Sequence, residues 1–440
     1  MNIVLLSGGS GKRLWPLSND IRSKQFIKIF RNDDGSYDSM VQRMYRGITR
    51  VDKDASISIA TSKSQVSAIH NQLGEKVGIS VEPCRRDTFP AIALATMYLH
   101  DVKGVGENEA VVVCPCDPFV EDDYFEALDK LSELAEKAEA NLCLLGMEPT
   151  YPSEKYGYIV PESTGSVSRV VSFTEKPDLE TSKKLIASKA LWNGGVFAFK
   201  CGYMMRKAHE LMDFTDYQDL YDKYDSLDRI SFDYAIAEKE KNIAVMRFSG
   251  QWKDLGTWNT LSEAMQEPVI GNAIIGDNCE NVNIINELST PILCMGVKNM
   301  VVSASPQGIL VSDKGESSYI RKYVDKIDDE VMFAEKSWGT YRVLNIDAES
   351  MMIMDIVNAG ASMSYHSHAK RKEVWTVIYG SGTVIVDGVR HHVQAGDVVT
   401  MEPGSRHTVI AETEMKLFEL QLGLDGAAVD KSDKTKYTEI

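Results

Sequence analysis

Two stretches of the chain hold residue types that do chemistry when the fold gathers them. Near the start, an apolar segment, 3–6, runs into Ser7-Gly8-Gly9-Ser10-Gly11-Lys12-Arg13-Leu14. Glycines after a strand let backbone N–H groups approach phosphate oxygens, because no Cβ intervenes. Lys12 and Arg13 would add positive charge beside those oxygens. Neither common phosphate motif fits. The P-loop needs glycine where Leu6 stands and Ser or Thr where Arg13 stands, and the dinucleotide fingerprint needs glycine in place of Leu14. By itself, Gly-Gly-x-Gly is equally compatible with a tight turn beside a basic pair. The second stretch holds His366, His368, Glu373 and His407. His366 and His368 are two apart, so on a strand they face one side. Glu373 and His407 can close a four-ligand site inside a small barrel. Three imidazoles and one carboxylate suit Zn²⁺, Mn²⁺, Fe²⁺ or Ni²⁺.

The elements that must position these residues fall into three regions. Residues 1–265 alternate apolar strands (3–6, 56–60, 79–81, 110–114, 142–146, 167–174, 195–200, 243–248) with amphipathic helices (38–48, 90–100, 122–138, 178–188, 232–238). This pattern predicts an α/β domain with a mixed, mostly parallel sheet. Ligands of such sheets sit outside the carboxyl ends of the strands. Residues 266–330 hold short β segments without helices and predict a small β-helix-like connector. From 331 to 440 helices nearly vanish. Short strands recur at 351–357, 374–379, 382–386, 391–393, 397–401, 407–410 and 415–422, as in an all-β sandwich or barrel. The polar tail, 425–440, is expected to fray.

Composition narrows the function classes. The 440 residues carry a formal charge of −16, with 64 acids against 48 bases, so no broad basic face is available to wrap nucleic acid. No apolar run reaches the ~18–20 residues of a membrane span. The opening Met-Asn-Ile-Val-Leu-Leu-Ser-Gly-Gly has no charged leader or cleavage site and reads as a strand, not a signal peptide. Seven scattered cysteines, an odd number, predict free thiols in a reducing cytoplasm.

The glycine loop extends into a longer signature. Leu6-Ser7-Gly8-Gly9-Ser10-Gly11-Lys12-Arg13-Leu14-Trp15-Pro16-Leu17-Ser18, followed by Ser23-Lys24-Gln25-Phe26, resembles the opening of the mannose-1-phosphate guanylyltransferases (GDP-mannose pyrophosphorylases). The resemblance implies a Rossmann-like nucleotidyltransferase domain in which Leu6, Gly8, Gly9, Ser10, Gly11 and Lys12 wrap the triphosphate. Arg13 and Lys24 then match the positions that stabilise pyrophosphate. Glu82-Pro83-Cys84-Arg85-Arg86-Asp87-Thr88-Phe89-Pro90-Ala91 falls where the family reads Glu-Pro-x-Gly-Arg-Asn-Thr-Ala-Pro-Ala. Glu82, Arg86 and Thr88 thereby become base and ribose residues, while Asp87 and Phe89 depart from the pattern. Read alone, Thr88-Phe89-Pro90 is a helix start with a threonine cap.

Asp117 and Asp254, the latter in Trp252-Lys253-Asp254-Leu255-Gly256-Thr257-Trp258, match the two Mg²⁺-binding acids, although Pro118 replaces the usual histidine. Gly157 in Tyr156-Gly157-Tyr158-Ile159, Glu175 and Lys176 in Glu175-Lys176-Pro177-Asp178, and Asn193 in Trp192-Asn193-Gly194-Gly195-Val196-Phe197 match the sugar-phosphate side. There Gly194 replaces the usual serine. Ser231-Phe232-Asp233-Tyr234-Ala235 matches a further element. The implied substrates are GTP and mannose 1-phosphate, and the implied cofactor is Mg²⁺.

The C-terminal region resembles a cupin. Gly360-x5-His366-x-His368-x4-Glu373-x6-Gly380 fits the first cupin motif, and Gly396 to Gly404-x2-His407 fits most of the second. Ser337-Trp338-Gly339-Thr340-Tyr341 resembles the opening of type II mannose-6-phosphate isomerase domains. The isomerase motif usually has Gln in place of His366 and His-Arg-Leu in place of His407-Thr408-Val409. The lost arginine matters because aldose–ketose isomerisation needs a cation or metal to stabilise an enediolate oxyanion. Zn²⁺ or another divalent transition metal is the expected cupin ion. Two other readings keep much of this pattern. One is a nucleotidyltransferase for another nucleotide or acceptor, with a non-catalytic metal-binding cupin. The other is a sugar-nucleotide-binding regulator. The partners expected are small-molecule substrates and further copies of the chain, as a homodimer or higher homo-oligomer, with no nucleic acid or membrane.

Overall fold

The structure, a computed structural model, describes residues 1–423 except 10, 20, 33, 138 and 328–329. Ser10 of the glycine loop and the tail 425–440 therefore lie outside the described residues. The chain forms two compact units. One comprises Met1–Gly9, Lys24–Val66 and Glu75–Gly256; the other comprises Ser10–Ser23, Ser67–Gly74 and the chain from Thr257 onward.

The first unit is built on a nine-stranded sheet. Its spatial order is Gly78–Glu82, Ser56–Ser62, Asn2–Ser7, Ala110–Pro115, Leu191–Lys200, Leu142–Met147, Ile243–Phe248, Val167–Thr174, Gly157–Pro161. Leu191–Lys200 and Val167–Thr174 run against the others, so the sheet is mixed. The inner strands Ala110–Pro115 and Leu142–Met147 are buried almost throughout, as their unbroken apolar runs require. Helix Met40–Val51 opens on a reciprocal capping box between Ser39 and Gln42. Gly47 on that helix lets Phe125 of helix Asp122–Lys137 pack closely, because a Cβ there would lie 2.2 Å from the Phe125 ring.

Five helices among the described residues escape sequence reading: Val66–Leu73, Cys201–Leu211, Tyr217–Asp222, Trp258–Ala264 and Arg321–Val324, the last within the connector expected to be free of helices. Cys201–Leu211 starts at Lys200 without a side-chain cap, and Tyr217–Asp222 is only six residues long. The expected helix 232–238 is a single turn, Asp233–Ala237. A small ribbon matters more for chemistry. Pro118–Val120 pairs antiparallel with Trp252–Asp254, with Asp254 opposite Pro118. That register brings Asp254 beside Asp117 across more than a hundred residues of chain.

In the second unit, Val269–Gly271, Asn283–Asn286 and Met300–Ser305 stack in parallel, with Val269, Ile284 and Val302 in register. Gly308–Asp313 adds an antiparallel edge, and Ala273–Ile275 pairs in parallel with Ile292–Cys294. The result is a short β coil around Val282, Ile284, Cys294 and Val302.

The remaining strands form antiparallel sheets of six and three strands. Burial alternates strictly along Ser350–Val357 and Met415–Leu422, so every second side chain faces inward. Phe333–Lys336 and Gly339–Ile346 were not expected as strands; a bulge between Val343 and Asn345 breaks the alternation that would have marked the second. All seven cysteines are free. Among the described residues, no helix is long and apolar enough to cross a membrane.

Candidate functional site

In the α/β unit the glycine loop follows the carboxyl end of strand Asn2–Ser7. Gly8 and Gly9 do not have positive φ, and a Cβ on either would meet nothing within 4 Å. Neither packing nor backbone strain explains why these residues lack side chains. The loop's open face fits a ligand that approaches the backbone closely.

Lys24 opens the short helical turn Lys24–Phe26, whose Gln25 and Phe26 are buried. Its Nζ lies 2.7 Å from Asp117 Oδ2 and 3.1 Å from Asp254 Oδ1. Burial works against the ammonium charge, but the two carboxylates outweigh it and hold the Lys24 pKa above its ordinary value. Two carboxylates facing one monovalent cation keep a residual negative charge. Paired hard oxygen donors fit Mg²⁺, with phosphate oxygens and waters completing its shell. Arg13 and Lys12 stand in the turn Gly11–Leu14 of the second unit, where Lys12 pairs with Asp325 at 3.4 Å.

A second cluster forms on the sugar-side motifs. Asn193 Nδ2 donates to Asp233 Oδ1 at 2.7 Å, and its Oδ1 accepts from the Gly195 N–H at 3.0 Å across a strand irregularity. Lys176, at a positive φ of 44°, reaches back to Glu175 Oε1 at 2.8 Å, and that contact raises its pKa. A Cβ at Gly157 would lie 2.4 Å from Glu175 Oε2, so a larger residue there would displace the Glu175 carboxylate. Burial, then Glu175, pushes Asp233 up to about 6. Sequence reading found the motif around Asp233 but gave that residue no role.

Trp192, Tyr151, Tyr156 and Trp252 form an aromatic cluster with centroid separations of 4.9–5.5 Å, joining Asn193's strand to Asp254's ribbon. Gly194 sits beneath it. A serine there would bring its Cβ to 2.8 Å from Met147 Cε and 3.5 Å from Trp252, so this chain fills the space differently.

The expected base and ribose residues are held by a partner that sequence reading missed. Tyr224 Oη donates to Glu82 Oε2 at 2.8 Å, and burial raises the Glu82 pKa. Arg86 donates to the Tyr224 and Asp225 carbonyls. Thr88 Oγ1 accepts from the Phe232 N–H at 2.8 Å. The helix that follows is capped by Asp87, not Thr88. Asp87 adopts φ 70° with ψ −173°, a region almost confined to glycine, so the backbone there is strained. Aspartate in place of the expected Asn keeps the side-chain cap.

In the barrel, His366, His368 and His407 present ring nitrogens within 4.8 Å of one another. Reciprocal backbone bonds between His366 and His407, at 3.0 and 2.7 Å, clamp the two segments together. The expected fourth ligand, Glu373, lies 3.2 Å from His368 Nε2 and 3.1 Å from His407 Nε2. Arg371, absent from the sequence expectations, donates to Glu373 Oε1 at 2.8 Å and approaches His368 Nε2 at 2.7 Å. Burial opposes the Glu373 charge, but His407, Arg371 and His368 outweigh it and hold its pKa low. Deeper in, burial raises both Asp355 and Glu419. Asp355 Oδ2, Trp375 Nε1 and Gln421 Oε1 are buried without a hydrogen-bond partner among the described residues. Such a histidine-rich, under-satisfied interior fits a bound metal with its waters.

The first site sets an ammonium between two carboxylates at the carboxyl edge of an α/β sheet, and the second gathers three histidines in a β barrel. The chain belongs to the nucleotidyl transferase family, whose profile matches residues 2–268, and the cupin domain profile matches residues 352–420. The xanthan biosynthesis protein XanB of Xanthomonas campestris is 29% identical, over 87% of this chain and 86% of its own length. A mannose-1-phosphate guanylyltransferase of Salmonella montevideo is 27% identical, over 99% of this chain and 98% of its own. Among solved structures, the Thermus thermophilus protein named mannose-1-phosphate geranyltransferase superposes with a TM-score of 0.59 at 26% identity, covering 74% of this chain and 98% of that one. The chain is a nucleotidyltransferase.

Proposed function

We propose that the protein transfers GMP from GTP to α-D-mannose 1-phosphate, giving GDP-mannose and pyrophosphate. Lys24 held between Asp117 and Asp254 carries this reading, because that arrangement provides charge for a triphosphate and oxygen donors for Mg²⁺. The names of the relatives support the substrates. The sugar phosphate oxygen attacks the α-phosphorus in line and pyrophosphate leaves, with no covalent enzyme intermediate required. Bound Mg²⁺ supplies charge neutralisation on the phosphates. Gly8 and Gly9 bring backbone N–H groups to the triphosphate, and Lys24 and Arg13 stabilise the departing pyrophosphate. Glu82, Arg86 and Thr88 hold the base and ribose. Lys176 orients the sugar phosphate, while Glu175 and Asn193 accept and donate hydrogen bonds to the sugar.

The corresponding domains are 1–265, a connector at 266–330 and a cupin at 331–440, acting in the cytoplasm on small molecules. The test is pyrophosphate release with Mg²⁺ across four nucleoside triphosphates, each with mannose 1-phosphate or glucose 1-phosphate. Preference for GTP with mannose 1-phosphate is expected; preference for another pair overturns the substrate assignment.

The barrel supports a second reading, a mannose-6-phosphate isomerase reaction. Arg371 there supplies the fixed cation that the His407-Thr408-Val409 stretch lacks. Fructose 6-phosphate formation from mannose 6-phosphate by the Zn²⁺- or Mn²⁺-loaded protein tests it. Metal binding without isomerisation would leave a non-catalytic cupin.

A further inference from the structure

We propose that Gln65 is a positioning residue for nucleotidyl transfer, acting through a buried hydrogen-bond hub beneath the phosphate-binding elements. Its Oε1 accepts from Ser7 Oγ at 2.9 Å, Thr61 Oγ1 at 3.0 Å and Gln25 Nε2 at 3.2 Å. Gln25 Nε2 also donates to Ser7 Oγ at 2.7 Å. All four side chains are at most 2% exposed. The Cys116 thiol is hydrogen-bonded to Ser7, and the Cys116 N–H donates to the Leu6 carbonyl at 3.2 Å.

The members come from separate segments, Ser7 and Thr61 on neighbouring strands, Gln25 and Gln65 on short helical turns and Cys116 just past a strand end, and three of them directly adjoin a residue of the proposed phosphate site. Ser7 precedes Gly8, Gln25 follows Lys24, and Cys116 precedes Asp117. A shift at the hub therefore moves the glycine loop, the ammonium and one carboxylate relative to one another. An apolar filling of similar volume would hold the sheet together about as well, since the net contribution of a buried hydrogen bond is small. Directional bonds add a single geometry for the backbone on either side. The sugar-side cluster of Asn193, Asp233 and Glu175 shares no hydrogen bond with the hub among the described residues. The two substrates should consequently respond differently to its loss.

The inference rests on the nucleotidyltransferase reading, and the experiment separates the two. Gln65→Met, Gln65→Glu and Ser7→Ala are compared with wild type for kcat, for KM of each substrate and for melting temperature. The wild type's preferred triphosphate and sugar 1-phosphate are used. Gln65→Met should lower kcat by about tenfold to a hundredfold, the scale expected when reacting groups are misplaced by about 1 Å. Its KM for the sugar phosphate should stay unchanged. Gln65→Glu keeps an acceptor oxygen for all three donors and should recover most of the rate. If Gln65→Met does not fold, Ser7→Ala removes a single donor and should show the same split at several-fold. A lowered melting temperature with wild-type kcat, equal losses for both substrates, or a Glu variant as slow as the Met variant overturns the proposal. A wild type silent with every nucleotide would instead sink the nucleotidyltransferase reading.

Discussion

In the α/β unit, Lys24, Asp117, Lys176 and Asn193 stand on turns and strand ends, and each has a close polar partner: Lys24 with two carboxylates, Asn193 with Asp233. In the barrel, Glu373 and His407 lie on strands facing inward, at 1% exposure each, and neighbouring polar atoms on Asp355, Trp375 and Gln421 are left without partners. The first design fits ligands that enter, react and leave, because loops can shift while the sheet stays fixed. The second fits a resident ion, which would satisfy buried groups that otherwise cost stability.

The largest effect should come from Asp254→Asn. Pyrophosphate release should fall on the order of a hundredfold to a thousandfold, with unchanged melting temperature and unchanged metal content in the barrel. Wild-type release from that variant would remove Asp254 from the centre. His407→Ala breaks the comparison from the other side. Transition-metal affinity should drop by at least about a hundredfold, read by elemental analysis after dialysis, while pyrophosphate release persists.

Asp233→Asn should be smaller. Burial and Glu175 raise this carboxyl from 3.8 to about 6. Between those values the folded chain holds more protons than the unfolded chain, so stability falls as pH rises, and the full penalty applies above about pH 6. The Asn variant should lose that slope and gain about 1–3 kcal/mol above pH 6, measured by denaturant unfolding at pH 4 and pH 7. An unchanged slope would contradict the burial argument. Smallest is Lys24→Met, which removes the competing cation between two carboxylates. Mn²⁺ binding to the nucleotide-free protein, followed by electron paramagnetic resonance, should tighten by about threefold to tenfold. Weaker binding would show that Lys24 helps to hold the ion.

Much of this arrangement is legible in the residue pattern. The apolar runs at 110–115 and 142–147 mark buried strands, and the spacing His366-x-His368-x4-Glu373 anticipates that these side chains cluster, although His366 and His368 stand on a loop with one isolated bridge and only Glu373 lies on a strand. Adjacent motifs single out Lys24, Asp117 and Asp254, which the structure brings together, because each motif is a local pattern of glycine and charge. What escaped detection depends on distant chain. Tyr224 meets Glu82 across 142 positions, and Gln65 meets Ser7 across 58, through single hydrogen bonds that impose no periodicity. Arg371 was passed over because a basic residue between Lys370 and Lys372 reads as a solvated run, whereas its guanidinium turns inward to Glu373.

The most direct test of the central claim is ³¹P NMR of the protein with GTP, mannose 1-phosphate and Mg²⁺. GDP-mannose and pyrophosphate should appear in equal amounts as both substrates decline together. GTP breakdown without the sugar nucleotide, or no change while another triphosphate and acceptor react, would contradict it.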